Sequence, residues 1–455
     1  MQPAWLRAAA MLLPASVVLA AGPGGGFATP DFSVQSQLRT ELNAPKPVHP
    51  LYLRDPRIHG FKPFQPLVDE APSGAVLRPP PGSYAGPVVL TRPLTIEGGG
   101  AVTIDAGDKG SVFTVATDGA ALRGLRLTGS GDSHDTEDAC LEIRGNRNVA
   151  EDLTMDNCLF GVDLRQSDDN VLRGNRIASK PFDLGVRGDA IRLWYSMNNR
   201  VESNEIADSR DTVIWYSHGN RIAGNVGRRS RYSLHFMYSQ RNEVENNRYY
   251  DNAVGIYVMY TDGVSIRNNL ISHATGATGM GIGFKEASNS VVEDNDIVYC
   301  ATGIGSDLSP FEPGTEIRIS RNRLAYNGIG ILFNSDREGN IVTGNVFEGN
   351  LVHVAVNGAG TAMKNEWRGN YWDDYQGFDR NNDGRGDTPY ELFAYADRIW
   401  MEQPQARFFK SAPLLEAVDF LERLAPFSNP DMILRDTEPR FDRRQAGPRE
   451  QRAPG

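Results

Sequence analysis

Val201-Glu-Ser-Asn204, Ile222-Ala-Gly-Asn225 and Val244-Glu-Asn-Asn247 share one short pattern, an apolar residue followed three places later by asparagine. The pattern recurs at Asn175, Asn269, Asn295, Asn322, Asn345 and Asn370, with a degenerate copy at Leu153. From 153 onward the copies lie 22, 29, 21, 22, 22, 26, 27, 23 and 25 residues apart. A second asparagine often precedes the first, at Asn170, Asn199, Asn220, Asn242, Asn289 and Asn340. Between these turns lie runs of period two, such as Thr212-Val-Ile-Trp215 and Leu234-His-Phe-Met237. Strand-length runs bounded by Asn and Gly turns, returning every 21–29 residues, describe an all-β right-handed parallel β-helix, a solenoid. Asparagine suits the turns because it tolerates left-handed backbone angles and bonds its own neighbours. A leucine-rich repeat has this period but needs regularly placed leucines, and a propeller blade needs ~40 residues.

The flanks divide the rest of the chain. Residues 1–21 have Arg7, an apolar stretch from Ala8 to Leu19 and small residues fit for cleavage, which reads as a secretory signal peptide. Residues 22–60 form a Pro-rich extended arm, and Phe64 to Ala71 a short helix that caps the first coil. The β-helix is expected over 61–375. A calcium-loop-like turn and a helical region follow over 376–425, with helical spacing at 414–424. A disordered charged tail is expected over 426–455.

Composition narrows the function. The 455 residues carry 47 Gly and 27 Pro, too much turn-forming material for a helical bundle. A net charge of −10 argues against nucleic acid as a partner. No later segment is apolar enough to span a bilayer, so any membrane association would run through partners. Three cysteines exclude a disulfide-stapled scaffold. Buried thiols are the default reading, with a Cys140–Cys158 bond left open. Cys158 and Cys300 lie six coils apart, ~29 Å at the strand spacing, and cannot pair.

Stacking the coils on the repeat yields a register. One column reads Val162, Ile191, Thr212, Leu234, Ile256, Ile282, and another Leu164, Leu193, Ile214, Phe236, Val258, Phe284. Both are dominated by apolar residues and face the core. The columns between them then point outward: Asp163, Arg192, Val213, His235, Tyr257, Gly283 and Arg165, Trp194, Trp215, Met237, Met259, Lys285. A stripe holding Trp194, Trp215 and Tyr257 reads as an interaction surface, or as a face covered by the chain's own arms. His235, Met237 and Met259 together make a soft donor set of two thioethers and an imidazole, the kind that selects transient Cu(I).

Three further groups have chemical potential. Asp379, Asn381, Asp383 and Asp387 sit at positions 1, 3, 5 and 9 of a calcium-type loop, with Gly384 at position 6. Tyr390 stands where the bidentate Glu belongs, so a structural Ca²⁺ competes with a solvated Asn/Asp turn. The segment Asp132 to Asp138 pools His134 with four carboxylates, either as a solvated loop or as a transient cation site. Glycoside hydrolysis needs two carboxylates across a cleft. Asp163 has no carboxylate neighbour in its column, and Asp189 and Asp211 fall out of register.

The export signal, the Asn-turn coils and five strings carry a family resemblance. The strings are Gly129-Ser-Gly-Asp-Ser-His134, Gly188-Asp-Ala-Ile-Arg-Leu-Trp194, Tyr232-Ser-Leu-His-Phe-Met237, Gly369-Asn-Tyr-Trp-Asp-Asp-Tyr375 and Gly384-Arg-Gly-Asp-Thr-Pro-Tyr390. Together they resemble the NosD family of periplasmic nitrous oxide reductase maturation proteins, from about Pro66 to Phe427. The resemblance implies a periplasmic, non-enzymatic accessory protein that docks on an ABC transporter. Its implied partners are a membrane subunit and ATPase of the NosY and NosF type, a copper chaperone of the NosL type and apo nitrous oxide reductase. Its implied role is to support copper-site assembly in that reductase. The resemblance supplies no copper ligands, so His235, Met237 and Met259 rest on the register alone. The competing reading is an extracytoplasmic carbohydrate-binding or polysaccharide-modifying β-helix.

Overall fold

The computed structural model describes residues 60–394 and 430–448, with positions 401, 412, 413, 417, 420 and 421 between them. The expected signal peptide and Pro-rich arm, and nearly all of the expected 414–424 helix, lie outside the described residues. Among the described residues no helix is long and apolar enough to cross a membrane.

The chain winds into a parallel β-helix, as the repeat predicts. Twelve strands, from Val88–Leu90 to Val352–Val356, stack into one sheet. Two more parallel ladders, running through Val171–Arg173 and Arg176–Ser179 in each coil, close the tube. The short cap helix forms at Gln65–Glu70, where Pro66 is tolerated in the first turn, and it buries Val68. The core columns are as the register requires: Ile191, Leu193, Ile214, Leu234, Phe236, Ile256 and Val258 are fully buried.

The asparagines act by a different mechanism from the one their turn propensity suggests. The left-handed residue of each turn is the one before the repeat asparagine: Ser203, Gly224, Asn246 and Asn268 have φ of 56°, 66°, 58° and 55°. The repeat asparagines are buried, and each Nδ2 donates to the Oδ1 of the next coil: Asn175 to Asn204 at 2.9 Å, Asn204 to Asn225 at 2.9 Å, Asn225 to Asn247 at 3.0 Å. The ladder continues through Asn269, Asn295, Asn322 and Asn345 to Asn370. A buried amide can remain only where its donors and acceptors are matched, and a neighbour of identical shape one coil away matches them. A second ladder joins Asn170, Asn199, Asn220 and Asn242. Asn289 does not continue it. That residue bonds the half-buried Asp262, and Ser290 takes the ladder position by accepting from the Val264 amide.

Two further expectations are corrected or resolved. Residues 431–436 form a strand antiparallel to Tyr390–Ala394, so the disordered-tail reading fails over 430–448. Its Ile433 and Leu434 are fully buried, which outweighs the charged composition around them. Cys140 and Cys158 form a disulfide with Cα atoms 5.5 Å apart, whereas Cys300 keeps a buried thiol whose pKa burial pushes up to about 11.

Candidate functional site

The outward columns align as read. Trp194 pairs with Trp215, Trp215 with Met237, Met237 with Met259 and Met259 with Lys285 on successive strands. The neighbouring column runs Glu142, Asp163, Arg192, Val213, His235, Tyr257, Gly283, so Asp163 does have a carboxylate neighbour one coil back, contrary to the sequence expectation, which began the column at Asp163. Its direction is outward, but Asp163, Arg192, Val213 and His235 are 0%, 8%, 1% and 4% exposed. This column is therefore a covered floor, and the rim residues Trp194, Trp215, Met237 and Met259 are half-buried.

At one end of the floor the cover is ionic. Asp163 meets Arg165 at 3.0 Å, Arg192 at 2.9 Å and Arg144 at 3.6 Å, and Arg192 also holds Glu137 at 2.6 Å. The Asp132–Asp138 segment thus spreads its carboxylates over separate partners. Asp132 goes to Lys180 at 2.8 Å, Glu137 to Arg192, and Asp138 accepts from Thr136 at 2.7 Å, while His134 bonds the Val186 carbonyl. No cation site is gathered there. Asp189 and Asp211 are each clamped by an arginine, Arg210 and Arg231. Burial raises the Asp189 pKa to about 6 despite Arg210.

At the other end the cover is aromatic and soft. His235 Nε2 lies 3.1 Å from Met259 Sδ, and its ring sits among Tyr232 at 5.1 Å, Trp215 at 5.9 Å and Tyr257 at 6.2 Å between centroids. Its Nδ1 is buried without a hydrogen-bond partner. Burial lowers the His235 pKa to about 4, so the imidazole is neutral at any ordinary pH. A buried ring nitrogen left unmatched costs about 1–3 kcal/mol whichever tautomer the ring holds. A neutral imidazole touching one thioether, with a second thioether paired to the first across the strands, fits a soft monovalent metal.

The register reading missed a spine of tyrosines. Tyr195, Tyr216, Tyr238 and Tyr260 each follow a rim residue by one position and turn the corner with φ of 49°, 50°, 53° and 50°. Their rings stack at 4.9, 5.1 and 5.2 Å with interplanar angles of 5°, 10° and 16°. The signal was in plain view, because extending the Trp/Met column by one residue reads Tyr four times. These faces stack on one another, which leaves ring edges rather than faces for a sugar.

The remaining candidates are separate. In the Asp379 loop, Asp379 accepts the amides of Asp383 and Gly384 at 3.2 and 2.9 Å, Asn381 accepts the Asp383 amide, and Asp387 accepts the Arg380 amide. Its carboxylates are not gathered into a three-ligand cluster. Among the described residues the His/Cys/Asp/Glu side chains so gathered are His353, Asp373 and Asp374. His353 Nε2 lies 2.9 Å from Asp373 and 3.4 Å from Asp374. Burial alone would lower the His353 pKa, but the two carboxylates raise it to about 9, and a proton occupies the gap at neutral pH.

The fold and this face define a class: a parallel β-helix with an aromatic-rimmed, soft-donor floor. The family model described as "Periplasmic copper-binding protein (NosD)" matches residues 179–377, which contain the outward columns from Arg192 and Trp194 onward. The chain is 27% identical over 408 residues to a Pseudomonas aeruginosa protein named "Probable ABC transporter binding protein NosD", covering 81% of this chain and 88% of that one. A Stutzerimonas stutzeri protein of the same name is 38% identical over 112 residues, 24% of this chain and 25% of that one. Over these residues the chain is similar to NosD proteins. Among solved structures it is similar to the A-module of the Azotobacter vinelandii mannuronan C-5 epimerase AlgE6, with a TM-score of 0.46 and 16% identity over 65% of this chain and 91% of that one.

Proposed function

We propose that this protein is a periplasmic accessory protein, not itself a catalyst, that docks on an ABC transporter and supports copper-site assembly in nitrous oxide reductase. The NosD-type matches support the periplasmic setting and the transporter association. The Cys140–Cys158 bond suits an oxidising compartment. Docking partners of the NosY, NosF and NosL type and the apo reductase follow from the sequence resemblance.

The observation that carries the copper reading is His235, with its neutral ring against Met259 Sδ and its unmatched Nδ1. Cu(I) is the cargo, held in passing by His235, Met237 and Met259. Thioethers and a neutral imidazole release no proton on binding it, so loading and unloading need no pH change. Trp194, Trp215 and Tyr257 flank the donors and form the surface that meets the donor or acceptor protein.

A Cu(I) titration of the mature protein against a chromophoric chelator tests this, beside a His235→Ala/Met237→Ala/Met259→Ala variant. One copper on the parent and none on the variant supports direct handling. Equal uptake by both, or by neither, removes the ligand assignment. Oligosaccharide binding without any effect on copper loading of the reductase would favour the carbohydrate reading.

A further inference from the structure

Tyr232 and the arginine before it join the His235 pocket to a buried ion pair. Arg231 grips both oxygens of the Asp211 carboxylate, with Nε 3.0 Å from Oδ1 and an Nη2 bond to Oδ2. Asp211 Oδ1 also accepts the Tyr232 amide at 3.2 Å. The guanidinium lies over the Tyr232 ring, 4.7 Å from its centroid, and that ring meets His235 edge-on at 5.1 Å. One coil earlier Arg210 holds Asp189, with Nε and Nη2 at 3.1 and 3.0 Å from one oxygen.

Both carboxylates are buried, and a buried charge is tolerated only where an opposite charge meets it. They are nonetheless within electrostatic reach of the copper donors. Asp211 acts on the His235 ring in one direction, Arg231 and Arg210 in the other, and Asp211 is the carboxylate of that set. The Arg231 side chain is 43% exposed, so it closes the pair from the solvent side. Without it a buried anion, rich in lone pairs, would stand beside an imidazole. Carboxylate with imidazole is a donor set for divalent ions such as Zn²⁺, whereas thioethers with imidazole favour Cu(I).

We infer that Arg231 determines metal specificity at this face: by binding Asp211 it withholds the hard oxygen donor near His235 and leaves the floor its soft ligands. The inference rests on the copper reading of His235, Met237 and Met259, and it names a residue that reading does not use. Arg231 touches no metal and acts through Asp211. Its planar fork suits the task, because it occupies both carboxylate oxygens at once and keeps its charge at any ordinary pH.

The test is a pair of competition titrations on the mature protein, Zn²⁺ against a chromophoric zinc chelator and Cu(I) against its own. Zn²⁺ uptake is read as the difference from the parent, which cancels sites elsewhere. Arg231→Met should keep its Cu(I) and bind Zn²⁺ about tenfold more tightly, since one uncancelled charge at this range is worth at least that. Arg231→Met/His235→Ala should lose the gain, and Arg231→Lys, which keeps a cation on Asp211, should behave as the parent. Arg229→Met, which frees the exposed Asp208 from its own ion pair, should gain nothing. Arg231→Gln retains a donor for Asp211 and covers the case in which Arg231→Met misfolds, with a smaller gain of the same sign. Unchanged Zn²⁺ affinity in the folded Arg231 variants, or a gain that survives loss of His235, overturns the inference. So does a fall in Zn²⁺ uptake on His235→Ala alone, because the parent would then already hold zinc at this face. A Zn²⁺ gain in Arg231→Met with no Cu(I) uptake by the parent would remove the copper reading and uphold the role of Arg231.

Discussion

Asp436 Oδ2 accepts the side-chain amide of Asn370 at 2.8 Å, although 66 residues separate them. Asn370 is the last rung of the asparagine ladder, and a further asparagine would need a further coil. The carboxylate ends the series instead. It also takes the Asn370 backbone amide at 3.0 Å, the Gly369 amide at 3.0 Å and the Trp372 indole at 3.2 Å. A solenoid must close its last repeat, because an open coil leaves buried donors with no neighbour. Here the closing piece arrives from the strand Asp431–Asp436.

Removing that cap should loosen the end of the tube first. Asp436→Ala leaves four buried donors unmatched and should cost on the order of 3 kcal/mol or more. Hydrogen exchange should show the amides of Asn345 to Trp372 losing protection while the coils around Asn204 keep theirs. Uniform protection throughout would mean that the cap does not set the end's stability.

Copper uptake should be insensitive to pH over a range in which an exposed histidine would fail. With the His235 pKa near 4, Cu(I) affinity should stay flat from pH 5 to 8 and fall only as the pH approaches 4. An inflection near pH 6.5 in the chelator titration would show that the ligating imidazole is a solvated one.

The tyrosine spine sets stacking against backbone strain. Tyr216 stacks on both Tyr195 and Tyr238 while holding a left-handed φ of 50°. Tyr216→Ala should lose both contacts, about 1–3 kcal/mol, and keep the strain. Tyr216→Gly loses the same contacts but relieves the strain, so it should melt above Tyr216→Ala by about 1 kcal/mol equivalent. Thermal denaturation of the pair gives the order.

His353 should make the C-terminal coils lose stability in mild alkali. Its folded pKa of about 9 lies above the unfolded ~6.5, so its contribution is complete below pH 6.5 and disappears as the pH rises through 9. The loss is about 3 kcal/mol, because each tenfold gain in proton affinity on folding is worth roughly 1.4 kcal/mol. Denaturant unfolding between pH 6.5 and 9 should show this slope in the parent and a flatter one in His353→Gln.

The repeat alone determined the β-helix, its register and the pairing of Trp194 with Trp215 and Met237 with Met259. A period of one coil puts equivalent residues one strand apart whatever else the chain does. The sequence also determined which strand residues point outward. It did not determine that His235 would be buried, because the rings and ion pairs around it come from loops and neighbouring coils that the period does not describe. Nor did it place Asp436 at the end of the ladder. These are contacts between segments of unlike sequence, and only the folded chain, by matching buried donors with acceptors, selects them.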